Sequence, residues 1–165
     1  VTGPGGVMEF LEKAKREGLA RYVGISGHNR PDRFVHILKD YDIDVVMNAV
    51  NFVDRNTYNF EKKVWPEATK KNVALVAMKV FGGTWGSKDQ QSKLPVEHHH
   101  LAMRYALGLP NLSCMVLGMK SEEEIRRNIE WVNTYKPLTP EETAHLETLG
   151  KTIAADWKDH LGKVA

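Results

Sequence analysis

The stretch Val73-Ala74-Leu75-Val76-Ala77-Met78, followed at once by Lys79-Val80-Phe81-Gly82-Gly83, decides the fold. Six apolar residues in a row do not alternate with polar ones, so a strand here has both faces buried. That is the pattern of a parallel sheet covered by helices. Three more runs of the same kind flank it: Tyr22–Ile25, Asp44–Ala49 and Ser113–Leu117.

Helical patterns fill the gaps. Val7, Phe10, Leu11 and Ala14 recur at helical spacing, and Gly18 stops that helix. Pro31 opens a helix carrying Phe34, Val35, Ile37 and Leu38. Glu61 to Lys71 is a weaker helix whose main part starts at Pro66. Pro95 opens the next, through Leu101, Ala102, Tyr105 and Ala106, and Gly108 ends it. Ser121 with Glu124, then Thr139 with Glu142, read as capping boxes. The second starts a last helix expected to reach about His160.

The order is α-βα-βα-βα-βα-α, and the strand runs recur at the spacing of βαβ units. A closed eight-stranded barrel needs ~200 residues or more. This chain has 165 and supplies four βα units, half of such a barrel, over residues 1–165. Half a barrel leaves two parallel edges and an inner face uncovered. The expected cover is an N-terminal half barrel absent here, or a second copy in a dimer. Val1 to Gly6 lacks an initiator methionine and is loop-like, so the sequence is expected to continue upstream. An open doubly wound sheet is the competing fold. It wants a Gly-rich phosphate turn after its first strand, and Ser26-Gly27-His28-Asn29-Arg30-Pro31 is not one.

Composition sets further bounds. A net charge of +2, without basic runs interleaved with aromatics, argues against nucleic acid as partner. No stretch approaches the ~18 apolar residues that would span a bilayer, and no membrane partner is expected. Cys114 is the only cysteine, which excludes an internal disulfide and suits a reducing, cytoplasmic setting. No metal site is expected. His98, His99 and His100 are consecutive, point ~100° apart on a helix and cannot converge on one ion, so they read as a solvated helix start.

In a β/α barrel the residues just past each strand build the site. Those ends read Ser26-Gly27-His28-Asn29, Asn48-Ala49-Val50-Asn51, Met78 to Gly83, and Gly118-Met119-Lys120-Ser121. All are polar or glycine-rich. Asn29 can also serve as the cap of the helix at Pro31. Lys120 and Ser121 begin a helix, where free N–H groups and the helix dipole favour an anion. A Schiff-base reading of Lys79 is set aside in favour of an anionic partner. Met115 and Met119 read as core and loop packing, and Trp65, Trp131 and Trp157 as helix packing. Trp85, in the Gly-rich loop, is a candidate pocket residue, and Asp54-Arg55 reads equally as an ion pair or a pocket rim.

Three segments together resemble a known family. Gly18-Leu-Ala-Arg-Tyr-Val-Gly-Ile-Ser26 resembles the strand-five signature of the aldo-keto reductases. Ala77-Met-Lys-Val-Phe-Gly-Gly83 resembles their strand-seven segment, and Val116-Leu-Gly-Met-Lys-Ser-Glu-Glu-Glu-Ile-Arg-Arg-Asn128 their strand-eight cofactor segment. The resemblance implies a (β/α)8 TIM barrel of which this is the C-terminal half, strands five to eight. It implies NAD(P)H-dependent reduction of a small carbonyl substrate to an alcohol, with NADP(H) favoured over NAD(H). By that resemblance Ser26 and Asn48 hold the nicotinamide carboxamide. Gly27 stands where the family has asparagine, leaving His28 or Asn29 as the substitute. Met78 stands where many members stack a tyrosine. Lys79, Phe81 and Gly82 match the loop beside the pyrophosphate. Lys120 and Ser121 match the segment at the adenosine 2′-phosphate, and Asn128 the adenine contact. Glu124 replaces a common arginine, which Arg127 and Lys120 partly offset. The family's catalytic Asp, Tyr, Lys and His lie in the other half of the barrel, so no catalytic residue is assigned here. The alternative is a non-catalytic protein that binds a nucleotide or assembles with another half barrel.

Overall fold

The computed structural model describes residues 1–84 and 91–165; Trp85 and Gly86 lie outside the described residues. Four strands, β1 (Gly24–Gly27), β2 (Val45–Ala49), β3 (Ala74–Met78) and β4 (Leu112–Met115), form one parallel sheet in sequential order. Helix α1 (Val7–Arg16) precedes the sheet, and α2 (Pro31–Asp40), α3 (Phe60–Lys63), α4 (Trp65–Lys70), α5 (His99–Leu107), α6 (Glu122–Asn133) and α7 (Pro140–Trp157) intervene and follow. This is the arrangement of half a (β/α)8 barrel. Among the described residues, no helix is long and apolar enough to cross a membrane.

The register separates the two faces of the sheet. Ile25, Val46 and Leu75 are paired across strands, as are Gly27, Asn48 and Ala77. A Cβ on Gly27 would meet the Phe34 ring at 2.7 Å. That row therefore faces α2 and the helix layer. Phe34 meets Phe60 edge-on, centroids 5.5 Å apart, and Leu38, Val64, Trp65 and Ala68 complete a dry core. Each large apolar side chain buried there stabilises the fold by about 1.5–3 kcal/mol. The opposite row, Ser26, Met47, Val76 and Cys114, faces the inside of the would-be barrel.

Several sequence expectations shift by a residue or two. Tyr22 projects into solvent instead of opening β1, because the Val23 N–H bonds the Asp44 carboxylate at 2.8 Å. β4 carries a bulge opposite Leu75 and Val76, where Ser113 Oγ accepts the Leu75 N–H at 3.1 Å. Asn29 does not cap α2. Arg30 holds that position in left-handed backbone, and Asn29 Nδ2 donates instead to Leu161 O at 2.8 Å. The last helix stops at Trp157, because Lys158 takes φ +51° and turns the tail back over the strand ends. His99 is no solvated helix start: it is only 5% exposed, while His100 is exposed against Trp131.

Candidate active site

Because the sheet is parallel, the C-terminal ends of all four strands share one rim. The loop after β3 shapes it. Lys79 is a non-glycine residue at φ +58°, and Gly82 and Gly83 follow at +77° and +79°. A strained lysine persists only where its surroundings fix it. Here Asn51 Nδ2 donates to Lys79 O at 3.0 Å, and Gly82 N–H to the same oxygen at 2.7 Å. Gly83 has no Cβ, so the Lys79 side chain lies across it. A Cβ there would sit 3.1 Å from Lys79 Cδ. The loop then closes at its base. Lys93 N–H bonds Gly83 O at 2.6 Å, and Leu94 N–H bonds Phe81 O at 3.1 Å.

Two clefts flank this loop. The first, about 340 Å³, is walled by Met47 and Met78 from the inner face of the sheet and by Lys79 to Phe81 and Val116 to Gly118. The second, about 530 Å³, runs from Phe81 and Ser92 past His99 to Lys120, Glu124, Arg127 and Asn128 on α6. They share Phe81, Thr84, Ser92 and Gly118 and so form one trough.

The second cleft is the more polar. His99 stacks flat on Phe81, centroids 4.0 Å apart and 5° from parallel. Its Nε2 lies 2.8 Å from Ser92 Oγ and 2.9 Å from Leu94 O. Burial pushes its pKa below the ordinary value, reinforced by the Arg127 charge. Among the described residues, His99 Nδ1, Arg127 Nε and Asn128 Oδ1 are buried without a hydrogen-bond partner. At the start of α6, Ser121 Oγ accepts the Glu124 N–H at 3.1 Å, which is half of a capping box. The Glu124 carboxylate returns one residue further than expected, to the Lys120 N–H at 2.8 Å. The Lys120 N–H, one residue before the cap, is thus engaged by this chain's own carboxylate.

The trough brings together Met78, Lys79, Phe81, Lys120, Glu124, Arg127 and Asn128. It does not bring in Ser26, His28, Asn48, Gly82 or Ser121. Ser26 lies on the inner row of the sheet. Asn48 lies on the helix-side row, fully buried, its Nδ2 3.4 Å from Gly27 O and its Oδ1 unpartnered. His28 is half-buried at the strand-one end, its pKa lowered by burial and then by the Lys79 charge. Gly82 packs under Trp157, where any Cβ would collide with the indole.

A separate buried network closes the neighbouring rim. Asp54 accepts from Asn51 Nδ2 at 2.7 Å and pairs with His160 at 2.9 Å. Asp54 is therefore a buried structural partner, not a pocket rim. Tyr58 donates to Gly162 O and accepts the Leu161 N–H, both at 2.9 Å, and burial pushes its pKa up to about 12. Tyr105 donates to Glu61 at 2.8 Å, and burial raises both groups. Sequence reasoning missed His99, Ser92 and the His160 tail. His99 was detectable: with Ala102, Met103 and Ala106 it occupies positions i, i+3, i+4 and i+7 of one buried stripe.

Comparison with known proteins supports the resemblance. The model of the aldo/keto reductase family matches residues 5–100. An aldo-keto reductase from Bacillus halodurans is similar in structure. Its apo form matches at TM-score 0.68 and 24% identity, over 98% of this chain and 62% of that one. Its holo form matches at 0.65 and 23%, over 94% of this chain and 58% of that one. The chain thus spans about three-fifths of the length of the structures it matches. No curated protein matches it.

Proposed function

The chain belongs to the aldo-keto reductase family, and from that premise we propose that it is the cofactor-binding half of an oxidoreductase that reduces a small carbonyl compound, with NADP(H) preferred to NAD(H). One observation carries this reading: a trough at the strand ends whose wall holds three buried polar atoms without partners, next to a helix N-terminus. Native proteins rarely leave such atoms unmet, at about 1–3 kcal/mol each. A ligand with polar edges and a negatively charged part fits them.

When bound, the nicotinamide supplies the hydride. In this proposal Met47 and Met78 offer thioether surface to a flat ring in the first cleft. Lys79 places a cation beside the loop. Lys120, Ser121 and Arg127 hold the phosphate end, and Asn128 the base. Ser26 and His28 belong to the proposal as the nicotinamide end; Asn48, fully buried on the helix-side row, and Gly82, covered by Trp157, are left out of it. Glu124 opposes the phosphate, because it brings negative charge and occupies the Lys120 N–H.

Proton delivery is assigned to residues outside these four strands. Tyr58 and Tyr105 are both committed to buried bonds, and burial makes each a weaker acid than a free tyrosine. The Asp/Tyr/Lys/His set would come from a complementary half barrel seated on the inner face, and the work would be cytoplasmic. The second reading, a non-catalytic nucleotide-binding or assembly protein, draws support from the apolar face of α6. Ile125, Ile129 and Val132 stay exposed there.

Titrating NADPH and NADH by cofactor fluorescence, with an aldehyde-dependent oxidation assay alongside, tests both readings. The expected result is saturable NADPH binding without turnover by this chain alone. Turnover by the isolated chain removes the external proton donor from the proposal. Binding of neither nucleotide removes the cofactor half.

A further inference from the structure

This inference rests on the reading of the second cleft as a nucleotide site. We propose that His99 is a specificity-determining residue there, its Nδ1 accepting a hydrogen bond from the exocyclic amine of a 6-aminopurine, so that the site selects an adenine over a 6-oxopurine.

The tautomer follows from the ring's neighbours. Leu94 O lies 2.9 Å from His99 Nε2 and can only accept, so Nε2 carries the hydrogen. Ser92 donates its own hydroxyl hydrogen to the same carbonyl at 2.8 Å, which leaves Ser92 Oγ free to accept from Nε2 as well. Nδ1 is therefore a bare acceptor. It is buried and without a partner among the described residues, on a residue only 5% exposed.

The ring is also held in place. Phe81 covers one face of it, and the Ser92 and Leu94 bonds fix its rotation. A side chain fixed in this way needs no ordering when a ligand arrives.

The other unpartnered atoms of the same wall complete a pattern. Asn128, also 5% exposed, offers Oδ1 as an acceptor, and Arg127 offers Nε–H as a donor. Two acceptors and one donor complement a group with two N–H hydrogens next to a ring nitrogen. Adenine presents that edge. Hypoxanthine and guanine present a carbonyl oxygen in place of the amine, which would face lone pairs and leave both acceptors unmet. Sites built around such polar groups reject the mismatched analogue strongly.

Titration calorimetry with NADPH and with its 6-oxo analogue, nicotinamide hypoxanthine dinucleotide phosphate, tests this on the wild-type chain and on two variants. The wild type should bind the adenine form about tenfold or more tightly. His99→Phe keeps the stack on Phe81 and removes the acceptor. It should weaken the adenine form about tenfold and abolish the preference. His99→Gln, whose amide oxygen accepts, should retain part of it. Equal binding of both forms by the wild type overturns the proposal, as does a preference undiminished in His99→Phe. If circular dichroism shows that His99→Phe is unfolded, the wild-type comparison and His99→Gln decide. Failure of the wild type to bind either dinucleotide removes the nucleotide reading itself, a result distinct from binding without discrimination.

Discussion

Gly82 shows how one position ties the cofactor loop to the far end of the chain. Its φ of +77° is unfavourable for any side chain, and an added Cβ would strike the Trp157 indole. Gly82→Ala should therefore cost about 2–5 kcal/mol in urea unfolding, the sum of left-handed strain and displacement of Trp157. A cost under about half a kcal/mol would mean that the tail is not seated as described. His99 gives a pH prediction with a fixed sign. Its folded pKa lies below the ordinary value of 6.5 because burial outweighs the hydrogen bond to Leu94 O, which raises it; Arg127 on α6 lowers it further, against smaller opposing effects of Glu124 on α6 and Glu97 just before its own helix. The unfolded chain then binds more protons between the two values, so stability falls as pH drops from 6.5 toward the folded pKa. Tm measured between pH 7.5 and 5 should decline across the lower part of that range, and the decline should be shallower in His99→Gln. Glu124→Gln frees the Lys120 N–H from a carboxylate and removes a negative charge from the proposed phosphate end. NADPH affinity should rise several-fold, with NADH unchanged. At this scale the place of Lys79 and Phe81 on the trough was legible in the sequence, because both follow a strand end, whereas Asn128 on α6 came only from the family resemblance. His99 was obscured by its identical neighbours, and only the buried stripe it shares with Ala102, Met103 and Ala106 separates it from them.

Helices explain why some boundaries were legible and others not. Thr139 and Glu142 form the full reciprocal box, each side chain bonded to the other's backbone N–H, so the start of α7 could be read directly. Arg104 reinforces it by gripping Glu142 with its two terminal guanidinium nitrogens, at 2.6 and 2.7 Å, while donating to Lys136 O and Pro137 O. That grip joins α5 to α7 and holds the Glu142 carboxyl down at about 2. The end of α7 was misplaced because its stop signal is Lys158, a residue type with no preference for φ +51°. Tertiary bonds from Asp54, Tyr58 and Asn29 to residues 160–162 hold the tail in that turn, and no local pattern encodes them. Gly150, inside α7, looks like a propensity fault worth about 1 kcal/mol relative to alanine. Contact explains it: a Cβ there would strike Phe52 O and come within 3.1 Å of Asn56 Nδ2. Gly150→Ala should thus lower Tm although it raises helix propensity. A rise in Tm would show that α7 can lift off the turn at Asp54–Asn56 without cost.

The whole sheet follows from local signals repeated four times, so strand number, direction and order were all legible. The bare inner face was expected too, because four βα units close only half a barrel; what covers it is not written in a single chain's pattern. The helix-side row of the sheet is sealed. The inner row contains Ser26, Met47 and Val76, and β4 offers an unpaired edge with Ser113 and Cys114 exposed. Next to that edge, Met115, Leu117 and Met119 with Ile129 and Val132 line an apolar groove of about 370 Å³. Ile125, Ile129 and Val132 share one face of α6, where a finished barrel would have cover. Apolar surface left in water forgoes about 25 cal/mol for each square ångström it could bury. An open parallel edge adds backbone groups ready to pair. Isolated, the chain should therefore associate at micromolar concentration, which sedimentation would register as a mass above the monomer together with binding of a hydrophobic dye. Ile129→Lys with Val132→Lys should shift that mass toward the monomer without altering the far-ultraviolet circular dichroism, because both side chains are already exposed. A chain that sediments as a dye-negative monomer would mean that the groove closes on itself, and the proposed complementary half would lose its seat.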